Sequence, residues 1–228
     1  MPGFQACRTP VLSPATPHLA PDIAATDPAW HAAWRDLRLS APAPAVFDEL
    51  VGRWAEPHRR YHTLQHLREC LTLFEQLRDD ARHPGEIAIA LWFHDAVYDT
   101  SRHDNEAASA DWAGRALLDA GASAQVAQRV HALIMATRHA QVPATADAQL
   151  LVDIDLAILG APPGRFDEYE RQIRAEYAFV PEALFREKRG AVLRGFLQRP
   201  TIFATAACRQ RFEATARSNL AKAIASLD

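Results

Sequence analysis

From Asp27 onward, apolar residues recur at spacings of three and four, the period of helices with one buried face. Asp27-Pro28 reads as an N-cap followed by proline at the first helical position, opening a segment with Trp30, Trp34 and Leu37 on one side. Pro42 and Pro44 separate it from a second helix carrying Val46, Leu50 and Trp54, which Pro57 ends. A third is predicted from near His62 to Leu77, with Leu64, Leu67, Leu71 and Phe74 apolar. Pro84-Gly85 precedes EIAIALWFHDAVYD, which is apolar on nearly all sides and therefore predicts a buried helix. Asp104-Asn105 reads as the cap of a helix through Leu118 that Gly121 closes, and Ser123 to Arg138 as the next, with Val126, Val130, Leu133 and Ile134. The stretch QLLVDIDLAIL fits helical and alternating templates equally.

Past Pro162-Pro163-Gly164 three more stripes follow. They are Phe166, Tyr169, Ile173 and Tyr177, then Phe185, Val192, Leu193 and Phe196, then Phe212, Ala216, Leu220, Ile224 and Leu227. No strand pattern and no internal repeat stands out. The expectation is an all-α fold, a single-domain helical bundle over residues 27–228. Scarce glycine and abundant alanine, leucine, arginine and glutamate point the same way.

Composition adjusts this picture at the start of the chain. Six of the 15 prolines fall in the first 28 residues, so residues 1–26 are expected to form a proline-rich arm. That arm has no continuous apolar core of the kind a secretory signal needs. With 228 residues, one large domain is expected to bury enough surface to fold without disulfides. The net charge of −3 gives no general attraction for nucleic-acid polymers or anionic membranes, so neither is an expected partner. Cys7, Cys70 and Cys208 are odd in number and far apart, which suggests reduced thiols and a cytoplasmic protein.

Candidate chemistry lies in four short segments. In YHTLQH, His62 and His66 are four apart and would share a helix face, where imidazoles can bind a metal or move protons. In LWFHDAVYD, His94-Asp95 ends an apolar run, and a buried carboxylate there requires a partner or an ion. Asp104, Asn105 and Glu106 open a helix, where acidic groups also serve simply to cap N–H groups. Asp153 and Asp155 interrupt LLVDIDLAIL; on a helix they point about 200° apart, so only one can face a given site.

Together these segments resemble the HD superfamily of metal-dependent phosphohydrolases, in which a lone His, a His-Asp doublet and a distant Asp sit on helices. Within it the chain is similar to a small bacterial group of HD-type phosphohydrolases, through YHTLQHL, ALWFHDAVYD, DNEAASA, LLVDIDLAILG, IRAEY and VLRGFLQR. The resemblance implies an HD-type helical domain with His66, His94, Asp95 and Asp155 as metal ligands. Asp155 takes that place over Asp153 because the family's ligand directly precedes a DL or DR position. His62 matches the histidine that, in the cyclic-nucleotide phosphodiesterase relatives, protonates the leaving group, although Thr63 follows where that motif has Asn. HDAVYDT also resembles the HDxxEDT of guanosine-tetraphosphate hydrolases; Asp99 matches its second acidic residue, and Tyr98 replaces the first.

Two imidazoles and two carboxylates form a mixed nitrogen–oxygen donor set for Mn²⁺, Fe²⁺, Co²⁺, Ni²⁺, Mg²⁺ or Zn²⁺. Such an ion offsets phosphoryl charge and activates water, while a neighbouring acid or base moves the proton. His62, Asp99 and Glu106 are the candidates for that work. Arg138, Lys188 and Arg189 are candidate phosphate contacts, and His139 is a candidate extra ligand should a second ion bind. The expected function is hydrolysis of a small phosphorylated molecule, such as a nucleotide. The alternatives are an HD-type di-iron oxygenase and a non-catalytic, metal-holding regulatory module.

Overall fold

A computed structural model describes residues 27–227; the proline-rich arm, with Cys7, lies outside the described residues. Among the described residues every regular element is helical, and there is no strand. The chain forms α1 (Pro28–Asp36), α2 (Pro44–Trp54), α3 (Leu64–Gln76), α4 (Pro84–Phe93) and α5 (Asn105–Asp119). It continues through α6 (Ala124–Ala136), α7 (Ala146–Asp155), α8 (Pro163–Glu176), α9 (Glu182–Leu197) and α10 (Ala206–Leu227). A 3₁₀ segment, Leu156–Gly160, runs directly on from α7.

The centre of the bundle is α4. Every residue from Gly85 to Phe93 is buried, and α1, α3, α5, α6 and α7 pack around it. This follows from its composition, since a helix apolar on all sides loses free energy wherever it meets water. Its single charge, Glu86, is held by Arg129 of α6 at 2.8 Å. An aromatic cluster seals one flank: Trp30 lies 5.4 Å from each of the Trp34, Phe47 and Trp92 rings, edge-on or tilted. A second layer forms where α8 and α10 pack on the 3₁₀ segment and α9 packs on α10.

Local signals act as the sequence suggests at several ends. Asp27 Oδ1 accepts the Ala29 and Trp30 N–H groups at 2.8 and 3.4 Å. Gly121 adopts φ +89°, and the bonds Ala122 N–H to Leu117 O and Gly121 N–H to Leu118 O close α5 in a Schellman turn. QLLVDIDLAIL resolves as helix followed by 3₁₀ turn.

Four local expectations are corrected. The third helix begins at Leu64, so His62 precedes its Thr63 N-cap and shares no helix face with His66. The apolar fourth helix stops at Phe93, and His94-Asp95 lies in the turn that follows. Asp104 occupies the N-cap position of α5, but its carboxylate pairs with Arg102 at 2.8 Å instead of the helix N–H groups. Val192 is 50% exposed, because the stripe of α9 runs through Leu193.

The segment after Asp155 is locked in place by close packing. A Cβ added at Gly160 would lie 2.6 Å from the Phe212 Cβ and 2.8 Å from its carbonyl oxygen, on α10. Gly160→Ala is therefore expected to destabilise the fold by roughly 1–3 kcal/mol, as overpacking does. Urea unfolding of variant and parent tests this; equal midpoints would show that the interface yields freely.

Candidate metal centre

Three helix ends meet at the centre. His66 projects from the first turn of α3, His94 caps α4, and Asp155 is the last residue of α7. Among the described residues, His66, His94 and Asp155 form a group whose ligand atoms all lie within 4.8 Å of one another. The two Nε2 atoms are 3.2 Å apart. Asp155 Oδ1 lies 3.1 Å from His66 Nε2 and 3.6 Å from His94 Nε2. Asp95 Oδ2 is 3.1 Å from His94 Nε2 and 3.8 Å from His66 Nε2. All four expected ligands thus sit around one point.

The far side of each ring is held by a partner, and for His94 that partner also sets the tautomer. His94 Nδ1 donates to the Leu91 carbonyl at 2.8 Å, so a neutral His94 presents the Nε2 lone pair. His66 Nδ1 has the Tyr61 hydroxyl at 3.0 Å. Trp54 lies against both rings, with centroids 5.4 Å from His94 and 6.3 Å from His66. The Nε2 lone pair of neutral His94 and two carboxylates converge here beside His66 Nε2, which adds a second lone pair when its Nδ1 donates to the Tyr61 hydroxyl. The cluster is then a set of acceptors that a proton or a cation must join. That is the test a metal site must meet, and these side chains meet it.

The electrostatics carry the same message. Burial alone would push His94 down, but Asp95 and Asp155 hold it well above the ordinary imidazole range. Burial would raise Asp155, yet hydrogen bonds from His139, His66 and His94 keep it well below the usual carboxylate range. Asp95 is likewise depressed: His94 and His62 outweigh its burial. The side chains of Asp95 and Asp155 remain 17% and 12% exposed, so the carboxylates of the centre reach solvent.

Two further histidines flank the cluster. His139 Nε2 lies 3.0 Å from the outer oxygen of Asp155, and its backbone holds φ 54°, unusual for a residue with a side chain. His62 Nδ1 lies 2.8 Å from Glu176 Oε2, and its ring stacks on Tyr98 at 4.1 Å. Burial would lower His62, but the Glu176 hydrogen bond, with Asp95 and Asp155, raises it above the ordinary value.

Glu176 organises this side of the site. Its Oε1 accepts the N–H groups of Arg60, Tyr61 and His62 at 2.8–3.0 Å, and its Oε2 accepts the Tyr98 hydroxyl at 2.9 Å. The sequence reading missed it. The available signal was an acidic residue three after Ile173 and seven after Tyr169, on the apolar stripe of α8. Arg59 was also missed. Its guanidinium is fully buried and donates to the carbonyls of His62, Asp95 and Ala96.

The other candidates lie elsewhere. The Asp99 carboxylate is exposed and accepts the N–H and hydroxyl of Ser101 at 2.8 and 2.6 Å. Glu106 faces Arg138 at 4.0 Å. Neither makes a hydrogen bond or ion pair with the four cluster residues. Arg189 is paired with Glu170 and Lys188 with Glu187. Asp153 is buried and accepts the N–H groups of Ala204 and Thr205 and the Thr205 hydroxyl at 2.6–2.8 Å, anchoring the entry to α10.

No protein-family model matches the chain, and neither a curated protein nor a solved structure does.

Asp153 and Asp155 should therefore respond differently to Asn. Asp155→Asn is expected to weaken metal binding while largely keeping the fold. Asp153→Asn should keep the metal and cost roughly 1–3 kcal/mol of stability through weakened buried hydrogen bonds. Metal titration and denaturant unfolding of both variants separate the two roles, and the reverse pattern would exchange them.

Glu176 yields a pH prediction. Its hydrogen bonds from His62 and the loop N–H groups outweigh burial and lower its pKa from 4.5 to about 2. Its contribution to stability is thus complete above 4.5 for as long as His62 stays protonated, and disappears as pH falls toward 2. Glu176→Gln should cost roughly 3 kcal/mol at neutral pH, with the deficit shrinking across that acid window. A deficit independent of pH in urea unfolding would contradict this.

Proposed function

We propose that the protein is a metal-dependent phosphohydrolase of the HD type that acts on a small phosphate ester, such as a nucleotide. The observation that carries this reading is the convergence of His66, His94, Asp95 and Asp155 beside a separately held histidine, His62. The chain order of these residues, each at or near a helix end, is the order the HD resemblance implies. The ion would be Mn²⁺, Fe²⁺, Co²⁺, Ni²⁺, Mg²⁺ or Zn²⁺.

When bound, such an ion supplies Lewis acidity toward phosphoryl oxygens and lowers the pKa of a bound water. The chain supplies the rest. The two carboxylates and two Nε2 atoms would hold the ion, while Leu91 O and the Tyr61 hydroxyl keep the rings in place. His62 carries the proton. Its raised pKa favours the imidazolium, and its side chain is 19% exposed, so it can meet a substrate. Glu176 accepts from Nδ1, which turns Nε2 into the proton donor for the leaving oxygen. Tyr98 stacks on the ring and shares Glu176, restricting its rotation.

Free, buried Cys70 and Cys208 support a cytoplasmic setting. Among the described residues no helix is long and apolar enough to cross a membrane. A second reading, the di-iron oxygenase, draws on His139, which adds an imidazole on the outer oxygen of Asp155. Iron content together with oxygen-dependent turnover distinguishes it.

The decisive experiment is phosphate release from a panel of nucleotides and sugar phosphates with Mn²⁺, Mg²⁺, Co²⁺ or Ni²⁺. Release should require the ion, and Asp95→Ala should abolish both metal uptake and release. His62→Ala should retain the metal and lose roughly 10²–10⁴ in turnover, the share of a general acid. No release under any pairing, or loss of the metal in His62→Ala, would overturn the assignment.

A further inference from the structure

A groove of about 440 Å³ runs between α3, the 3₁₀ segment after Asp155, the start of α8 and the first turns of α10. That volume is in the range of small-molecule sites. None of His66, His94, Asp95 or Asp155 lines it, so it is separate from the metal centre. Leu73, Ile158 and Phe212 give it apolar walls.

Its charges are unbalanced. The lining contains three arginines, Arg68, Arg165 and Arg211, and one carboxylate, Glu69. Arg165 already holds both oxygens of Glu69, at 2.7 and 3.0 Å. Arg211 donates one nitrogen to Gln76 at 2.7 Å and lies over the Phe212 ring, 5.0 Å from its centroid. Arg68 makes no hydrogen bond or ion pair among the described residues; its Nη2 is shielded from solvent, so its remaining N–H groups are the ones that face the groove. An arginine stays charged at any pH the fold survives, and a shielded, unpaired donor on a charged group is costly. Two guanidinium groups therefore line one apolar groove with no carboxylate left to meet them.

We propose that this groove binds a small organic oxyanion, with its headgroup at Arg68 and Arg211 and an apolar body along Leu73, Ile158 and Phe212. Guanidinium groups recognise carboxylate and phosphate alike through paired N–H donors, so the shared chemistry is an oxyanion on an apolar chain. The proposal goes beyond the phosphohydrolase reading and stands whether or not that reading holds.

Calorimetric titration of the full chain with octanoate, octylphosphonate, 1-octanol and inorganic phosphate tests it. Octanoate or octylphosphonate should bind at one site, the tighter of the two identifying the headgroup. Octanol, lacking the charge, and phosphate, lacking the chain, should bind at least about tenfold more weakly. Arg68→Gln and Arg211→Gln should each weaken the preferred probe about tenfold or more. The ligand-free melting temperature of Arg68→Gln should equal or exceed that of the parent, because an unpaired charge is removed. Binding unchanged in Arg68→Gln, octanol equal to octanoate, or no binding of either amphiphile would overturn the proposal. So would a lowered melting temperature of ligand-free Arg68→Gln, which would assign that guanidinium to the fold.

Discussion

A helix that is apolar on every side must be buried, and a buried helix cannot leave its last carbonyls to water. The end of α4 is arranged around that constraint. Each late carbonyl finds a donor from outside the regular ladder. Leu91 O takes His94 Nδ1, Trp92 O takes Trp54 Nε1, and Phe93 O takes the Ala96 N–H. Asp95 O and Ala96 O take the Arg59 guanidinium. The same bonds that satisfy the helix end therefore orient His94, seat Trp54 against the imidazoles and tie the His62 loop to the cluster. Site geometry and helix termination are here one structural problem with one solution.

This arrangement explains what the sequence could and could not disclose. The order and polarity of the helices were legible because three- and four-residue spacing is a local property. So was the divergence of Asp153 from Asp155, since residues two apart on a helix face nearly opposite ways. The place of His62 was not legible. Four-residue spacing implied a shared face, but the Thr63 cap and the pull of Glu176 on three loop N–H groups hold His62 outside α3. Glu176 and Arg59 act across sequence separations of 114 and 36 residues respectively, toward His62 and Asp95, and no spacing rule reaches that far. Asp104 shows the opposite failure. A residue type suited to capping was available, and a nearby arginine took its carboxylate first.

The centre concentrates charge that works against stability. Burial penalises Asp95, Asp155, His94 and His62 in their charged forms, and each is rescued by neighbours of opposite charge, His62 first by Glu176 and Asp155 first by His139. Such mutual dependence has little value for a fold that could fill the same space with leucine. It is useful where a cation must be drawn in and held, because the acceptors are preassembled before it arrives. The fixed tautomer of His94 and the hydroxyl beside His66 reduce the reorganisation that binding requires.

The two sides of the site are built differently, and the difference matches their proposed tasks. The ligand side is anchored at helix ends, with His66 and His94 almost wholly buried. Ion binding tolerates little displacement, so those residues sit where the packed core leaves them no alternative. The His62 side is a loop held by one carboxylate with five bonds, three from backbone and two from side chains. A proton donor must meet substrates and return to its starting charge, which calls for exposure and a partner that stabilises the charged form. Glu176 provides that partner from α8, a helix of the second layer, without adding another carboxylate to the cluster that could hold an ion. Under the proposed reading, this separation would let the proton donor be tuned while the donor set for an ion stays unchanged.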